Sequence, residues 1–180
     1  DVATTLTAID LGGSPLGKVG TATLAPRLAA CTKLSHLGLA STRIGDAGLR
    51  LITSALLLAK GGSVASLDVS HNSIGDDGVR ALVTGLKSAS ASAGAEAPAV
   101  GLAKLDLSWN SFGPRGGRYL AEGLKDTAVS SLSELRVSWN GLADRGARAL
   151  GEALASNAAL TLLDLEYNAI KDEGAKAFAK

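Results

Sequence analysis

The sequence predicts an α/β fold in which one strand–turn–helix unit is repeated along the chain. The segment 102–124, LAKLDLSWNSFGPRGGRYLAEGL, alternates apolar and polar residues in its first half and has leucines at helical spacing in its second. A single unit of this kind cannot bury its apolar face alone, so neighbouring units must stack into a solenoid. The same spacing occurs in six repeats, which start at Leu6, Leu34, Val64, Leu102, Leu132 and Leu160.

Each position in a repeat is numbered here by its offset from the first residue, so that equal offsets can be compared. Offset 8, just after the strand, is Ser14 and Thr42 in repeats one and two. Because the turn leaves backbone groups without partners, asparagines at this offset are predicted to pair with them in a buried ladder. Offset 14 is glycine in all six repeats, which predicts a close approach of strand and helix. The asparagines stand in repeats three to six: Asn72, Asn110, Asn140 and Asn168.

These positions resemble the leucine-rich repeat family. The stretch Ser66–Gly78, SLDVSHNSIGDDG, is similar to the LxxLDLSxNxIGDxG signature of the ribonuclease-inhibitor-like subclass. Similar repeats occur in the Ran GTPase-activating protein and in NOD-like receptors. The resemblance implies a right-handed, horseshoe-shaped solenoid with a parallel sheet on its concave side and helices on its convex side.

The repeats predict one domain, residues 1–180, with one insertion. Repeat three is longer than the others because of residues 88–101, SASASAGAEAPAVG, which are predicted to form a flexible surface loop. The alternative is a clasp for a specific partner. Gly61 and Gly62 are expected to stop the helix of repeat two. Neither end carries a polar capping unit, so we expect a fragment of a longer protein or a second chain covering the end.

Composition excludes several classes of function. The net charge of +1 gives no reason to expect a nucleic-acid partner, and no apolar run is long enough to cross a membrane. Cys31 is the single cysteine and is expected to be buried. The absence of disulfides and of Asn-x-Ser/Thr sites favours a reducing compartment, namely the cytoplasm, the cytoskeleton or the cilium.

No enzyme activity, cofactor or metal is predicted. His36 and His71 occupy different offsets, and no metal-binding or paired-acid motif is present. The segment Gly12–Lys18 has the GxxxxGK spacing of a phosphate-binding loop, but Val19 replaces the usual serine or threonine. Its glycines also fit the repeat, so a repeat turn is favoured over nucleotide binding.

Three columns of equal offset are candidates for function, because strands about 4.8 Å apart stack equal offsets beside one another. Offset 7 is predicted to lie on the concave rim, and aromatic residues there are typical of protein-binding sites. The alternative is that these rings only stack and shield the strand ends. The column reads Gly13, Ser41, His71, Trp109, Trp139 and Tyr167.

Offset 4 is the second column and carries charge. Arg136 stands between two acids, which predicts an Asp106–Arg136–Asp164 ladder. Asp68 lies beside Asp106 with no cation next to it in this column, which favours a basic partner. The alternative is that the charged residues of offset 4 form a solvated row, as is typical of the family. The third column, offset 16, is a basic stripe on the helices that includes Arg118, for which a solvated face is favoured.

The predicted function is a non-enzymatic scaffold that binds a protein partner on its concave face. Trp109, Trp139 and Tyr167 are predicted to form the centre, and His71, Asp68, Asp106, Arg136 and Asp164 to orient the partner. One alternative is a structural subunit of a large assembly, for example a cytoskeletal or axonemal one. Another, which follows from the resemblance to the Ran GTPase-activating protein, is a regulator of a small GTPase.

Overall fold

A computed structural model describes residues 5–58, 64–93, 101–126 and 131–179. Strand and helix alternate along the chain, and a short 3-10 helix, Lys176–Phe178, follows the last helix. The strands are β1 (Ala8–Asp10), β2 (His36–Gly38), β3 (Ser66–Asp68), β4 (Lys104–Asp106), β5 (Glu134–Arg136) and β6 (Leu162–Asp164). The helices are α1 (Gly17–Leu28), α2 (Gly45–Leu58), α3 (Asp76–Ala93), α4 (Pro114–Leu124), α5 (Ala143–Leu154) and α6 (Asp172–Ala175).

The six strands form one parallel sheet in chain order, β1-β2-β3-β4-β5-β6. Each strand covers offsets 2 to 4 of its repeat, and the pairing joins equal offsets, as in Asp68 with Asp106. The predicted solenoid and its alignment of equal offsets are therefore confirmed. Because strands lie about 4.8 Å apart whereas packed helices need about 8–10 Å, the sheet takes the inner, concave side.

The core lies between the sheet and the helices. Offset 3, the middle residue of each strand, points into it: Leu37, Leu67 and Leu105 are all nearly inaccessible to solvent. Phe112, at offset 10, is also fully buried and fills the turn between strand and helix of repeat four. The residues on either side of offset 3 in each strand point to the concave face, since successive side chains in a strand alternate.

The predicted asparagine ladder is present. Asn72 is 1% exposed; its Oδ1 accepts hydrogen bonds from the backbone N–H groups of Thr42 and Ile44, at 3.1 and 3.2 Å, in the preceding repeat. Its Nδ2 donates to the carbonyls of Leu39 and Ser70. Asn110 Oδ1 repeats this contact one repeat later. The ladder thus satisfies the buried backbone groups of two repeats with one side chain.

The acids at offset 12 accept hydrogen bonds from the following repeat. Sequence reasoning did not predict this contact between repeats. Asp76 Oδ1 accepts hydrogen bonds from Gly113 N at 2.9 Å and from Gly116 N at 2.7 Å, at the start of α4. A side chain at Gly116 would meet that oxygen at 2.9 Å, which explains the glycine at offset 14. The equivalent contacts run from Asp46 to Gly75 N, and from Asp144 to Lys171 N and Gly174 N.

The boundaries of the predicted insertion need correction. Helix α3 continues to Ala93, so residues 88–93 are helical and not part of a loop. Alanine is the best helix former, and this stretch alternates serine with alanine, which explains the extension. Residues 94–100, and Gly61 and Gly62, lie outside the described residues. Cys31 is buried as predicted, with its thiol 3.4 Å from the carbonyl oxygen of Arg27.

Candidate functional site

The offset-7 column lies on the rim of the sheet, just after each strand. All six of its residues have a left-handed backbone, with φ from 52° at Tyr167 to 76° at Gly13. The N–H groups of this column donate to the next repeat, for example from Trp109 to the carbonyl of Ser138 at 2.9 Å. A β-branched or bulky residue rarely adopts this conformation. The side chains of this column are therefore held in place at a cost in backbone strain.

The rings of this column form one continuous stack. Ring centroids are 4.9 Å apart between His71 and Trp109, 4.0 Å between Trp109 and Trp139, and 3.9 Å between Trp139 and Tyr167. The planes are within 21° of parallel. The rings remain open to solvent: Trp109 is 45%, Trp139 38% and Tyr167 62% exposed. Stacking, one of the two predicted explanations, is therefore present, and it leaves the column accessible.

The stack presents ring edges along its length and a free ring face at each end. Each inner face is covered by its neighbour, so a ligand that lies along the column meets indole edges. At one end the outer face of Tyr167 is free of any ring in the described residues, and at the other the outer face of His71 points towards repeat two. Fixed, amphipathic rings of this kind lose little conformational entropy on binding.

The aspartates of offset 4 have a structural bond and one further oxygen. Asp68 Oδ1 accepts from Ser70 N at 2.9 Å, and Asp106 Oδ1 accepts from Ser108 N at 2.8 Å. Asp164 Oδ1 makes the same bond to Glu166 N. Each bond fixes the chain as it leaves the strand, and it engages one of the two carboxylate oxygens.

The predicted Asp106–Arg136–Asp164 ladder is wrong. The register places Arg136 between the two aspartates, but its guanidinium forms an ion pair with Glu134 Oε2 at 3.3 Å. Glu134 Oε1 in turn binds Lys104 Nζ at 2.7 Å across β4 and β5. Both aspartates direct Oδ1 to a backbone N–H of their own turn.

This charged cluster at offsets 2 and 4 was missed, although Lys104 and Glu134 share offset 2 in neighbouring repeats. The hydrogen bond from Lys104, with the charge of Arg136 in support, lowers the pKa of Glu134 despite the opposing effect of desolvation. Glu134 therefore stays ionised and holds both cations on repeats four and five. The concave positions at offsets 2, 4 and 6 carry six acids and two basic residues, whereas the whole chain has a net charge of +1.

The GxxxxGK segment is a repeat turn and does not offer a phosphate cradle. Gly12 N donates to Asp10 Oδ1, Gly13 N to the carbonyl of Ala40, and Gly17 N to the carbonyl of Thr42. Phosphate-binding loops use such N–H groups for the ligand. Because these donors already have protein acceptors, nucleotide binding has no geometric support here.

The convex face carries the basic stripe and two open grooves. The spacing of Arg118 with Glu122 and of Arg148 with Glu152 would allow ion pairs along a helix, but the ion pairs of the described ranges include neither. The arginines are exposed, and one groove of about 440 Å³ lies between Arg80 and Tyr119. The described part of the chain contains no group of three or more His, Cys, Asp or Glu placed to hold a metal ion. Among the described helices, none has the length and hydrophobicity needed to span a bilayer.

Comparison with known proteins gives a family match over more than half of the chain. The family described as Leucine Rich repeat matches residues 30–52, 63–83, 102–121, 130–151 and 156–179. No curated protein matches. Among solved structures, 59 chains match. One is the crystal structure of an internalin (inlF) from Listeria monocytogenes, with a TM-score of 0.35 and 16% identity over 99% of this chain and 61% of the internalin.

Proposed function

Because the chain belongs to the leucine-rich repeat family, we propose that it is a non-catalytic module that holds a protein partner on the concave face of its sheet. Proteins of this family act generally as scaffolds for protein–protein interaction. The proposed subclass is the ribonuclease-inhibitor-like one, which the true α-helix in repeats one to five supports. The proposed compartment is the cytoplasm, which the buried, unpaired Cys31 supports.

The stack of His71, Trp109, Trp139 and Tyr167 carries this proposal. Tryptophan and tyrosine are the residues most often found at the energetic centre of protein interfaces. A monomer has little reason to expose two tryptophans side by side, since solvent-facing apolar surface stabilises nothing. Here their orientation is fixed before binding by the left-handed backbone and by the neighbouring rings. The partner therefore gains contact area without the entropic cost of ordering these side chains.

The charged residues of the concave face complete the surface. Asp68, Asp106 and Asp164 each offer one carboxylate oxygen, and Arg136 is 41% exposed beside Glu134. These groups flank the ring stack on the sheet side. They orient the partner by electrostatic complementarity, which contributes more to specificity and association rate than to affinity.

Substituting both tryptophans tests the proposal. The partner is identified by mass spectrometry of proteins retained on the immobilised chain, purified, and titrated by calorimetry. Trp109→Ala with Trp139→Ala is expected to weaken binding at least about 100-fold, since each hot-spot residue contributes about 2 kcal/mol or more. Leu58→Ala is the matched control, because Leu58 is 71% exposed on α2, away from the sheet. Equal affinity of the folded double variant and the control would contradict the proposal.

A structural subunit of a large assembly is the second candidate. The exposed arginines of the convex helices, including Arg118 and Arg148, form a second surface opposite the sheet. A subunit packed on two sides requires such a pair of surfaces. Native mass spectrometry of the endogenous protein separates the candidates: a fixed stoichiometry with three or more chains, lost on Arg118→Glu, supports the subunit, whereas a binary complex insensitive to it does not.

A further inference from the structure

We propose that the partner inserts an arginine side chain into a notch of the concave rim at repeat two. The notch is bounded by the ring of His71 and by the carboxylates of Asp10 and Asp68, with Gly38 and Ser41 as its floor. This inference rests on the proposed function, because it names the chemistry of the group that the concave face receives. It concerns the opposite end of the ring stack from Tyr167.

The free face of His71 forms the first wall. His71 stacks on Trp109 with its far face towards repeat two, where the same column continues as Ser41. Ser41 has φ 58° and its N–H donates to Ser70 at 2.9 Å, so the backbone ladder is unbroken and only the ring is missing. Since strands repeat at about 4.8 Å, a planar group over Ser41 would lie at stacking distance from the face of His71.

The floor of the notch has no large side chain. Gly38 is the only offset-4 residue without a side chain, and a Cβ there would lie 2.6 Å from Asp10 Oδ1. The carboxylate of Asp10 therefore leans over β2. Asp68 is the register partner of Gly38 on the other side. The two aspartates therefore lie on the strands that flank β2, level with Gly38.

Neither carboxylate is paired with a cation in the described part of the chain. The ion pairs within those ranges involve neither Asp10 nor Asp68, and Lys104 on β4 is held by Glu134. The imidazole of His36 on β2 is bonded to the hydroxyl of Ser35 at 2.8 Å. Asp10 Oδ1 accepts Gly12 N and Asp68 Oδ1 accepts Ser70 N, which leaves one oxygen on each side of the notch. The surface thus combines a ring face with negative charge, and the complementary group is a planar cation.

Arginine fits this combination better than lysine. Its guanidinium is planar, stacks on aromatic and imidazole faces, and donates in a fork to two acceptors. Lysine pairs with carboxylates as a point charge and gains nothing from the ring face. An arginine over Ser41 would continue the stack as its fifth member, in contact with carboxylates on both sides.

The first test compares two fluorescein-labelled peptides of equal length and charge. One carries four arginines separated by Gly-Ser, and the other carries four lysines in the same places. Fluorescence anisotropy at low salt is expected to show that the arginine peptide binds at least about tenfold more tightly. Addition of N-acetylarginine amide is expected to shift the imidazole proton resonances of His71. Equal affinities of the two peptides would overturn the inference.

The second test fills the notch. Ser41→Trp extends the ring stack, and the backbone tolerates it because Trp109 and Trp139 have the same φ. The preference for the arginine peptide is expected to fall below about twofold. Ala169→Trp is the matched control, since Ala169 is exposed and also left-handed, φ 53°, in repeat six. His71→Ala, which removes the wall without filling the notch, must reduce the preference as well.

A carboxylate away from the notch provides the matched control. Asp68→Asn is expected to weaken binding of the arginine peptide at least about fivefold, whereas Glu152→Gln, which removes an exposed carboxylate on the convex helix α5, leaves it within twofold. Unchanged binding in Ser41→Trp and Asp68→Asn, with the natural partner still lost in the double tryptophan variant, would overturn the arginine notch alone. Unchanged binding of the natural partner in the double tryptophan variant would overturn the proposed function instead.

Discussion

Three kinds of side-chain contact join the later repeats, in combinations that differ from one junction to the next. The junction between repeats one and two lacks all three. At the junction of repeats three and four, Asn110 binds backbone groups of repeat three, Asp76 binds the start of α4, and His71 stacks on Trp109. At the first junction Thr42 of repeat two replaces the asparagine, and Lys18 of repeat one replaces the acid. Gly13 and Ser41 replace the two rings. Apolar packing and the backbone ladder remain there, but side-chain bonds between repeats are few.

This difference shows that contacts which stabilise a solenoid and surfaces which bind a partner can lie in different repeats. In a repeat protein, stability is the sum of each repeat and its interfaces with neighbours. Repeats two to six therefore form the well-supported part, and repeats three to six carry the stack of rings. Repeat two is the boundary, where the buried Thr42 still closes its turn with a 2.7 Å bond to the carbonyl of Leu39. The proposed arginine notch lies at this boundary because the ring column ends there.

Removing one asparagine is expected to have the largest effect on the comparison. Asn72→Ala leaves the N–H groups of Thr42 and Ile44 without partners in a buried turn, whereas the carbonyl of Leu39 keeps its bond from the Thr42 hydroxyl. Unsatisfied buried groups cost about 1–3 kcal/mol each, so the free energy of unfolding should fall by about 3 kcal/mol or more. Urea denaturation followed by circular dichroism measures it.

Ser14→Ala is the matched control for Asn72→Ala. Ser14 occupies the same offset in repeat one but is exposed, so its replacement should change the free energy of unfolding by less than about 0.5 kcal/mol. Equal losses in the two variants would mean that offset 8 contributes as much in repeat one as in repeat three, and the contrast between these repeats would be lost.

Removal of an acid cap is expected to have the second largest effect. Asp76→Ala frees the N–H groups of Gly113 and Gly116 at the start of α4, and loss of such a cap costs about 1–2 kcal/mol. Lys18→Ala changes the same offset in repeat one, where the side chain is exposed, and should be nearly neutral. Hydrogen exchange of the α4 amides, together with urea denaturation, would show local loss in Asp76→Ala; exchange that stays as in the parent would refute the cap.

The junction of repeats four and five shows where sequence reasoning ends. Pro114 replaces the acid, and Asn140 Oδ1 is buried without a hydrogen-bond partner in the described structure. The two helices approach closely here, since a Cβ on Gly117 would lie 3.0 Å from the Cα of Gly146. Gly117 directly follows the offset-14 glycine, Gly116, in the sequence. Its role could not be predicted, because it depends on the spacing between two helices, which no single repeat specifies.

The fold followed from the sequence because the repeat period aligns every strand, and an error of one residue would turn the core outwards. The ring column followed for the same reason. The partners of charged side chains did not, since Asp106 can bind its own turn, a neighbouring arginine or solvent with small differences in free energy. Arg136 pairs with Glu134 on its own strand, and Asp106 directs Oδ1 to the N–H of Ser108 in its own turn. Geometry at the scale of one hydrogen bond decided this.

The smallest expected effect concerns Lys104, the cation that joins repeats four and five through its ion pair with Glu134. The hydrogen bond from Lys104 lowers the pKa of Glu134 below its ordinary value of 4.5. A lowered pKa means that ionised Glu134 stabilises the fold above about pH 4.5 and that this contribution is lost as the pH falls through the lower, folded value. Lys104→Gln should therefore raise the pKa of Glu134 and weaken the pH dependence of stability in that acidic range. NMR titration of the Glu134 side-chain carboxyl measures the change. Arg136→Gln should raise it less, because the guanidinium lies 3.3 Å from Glu134 and Lys104 Nζ only 2.7 Å; the reverse order would assign the cluster to the arginine.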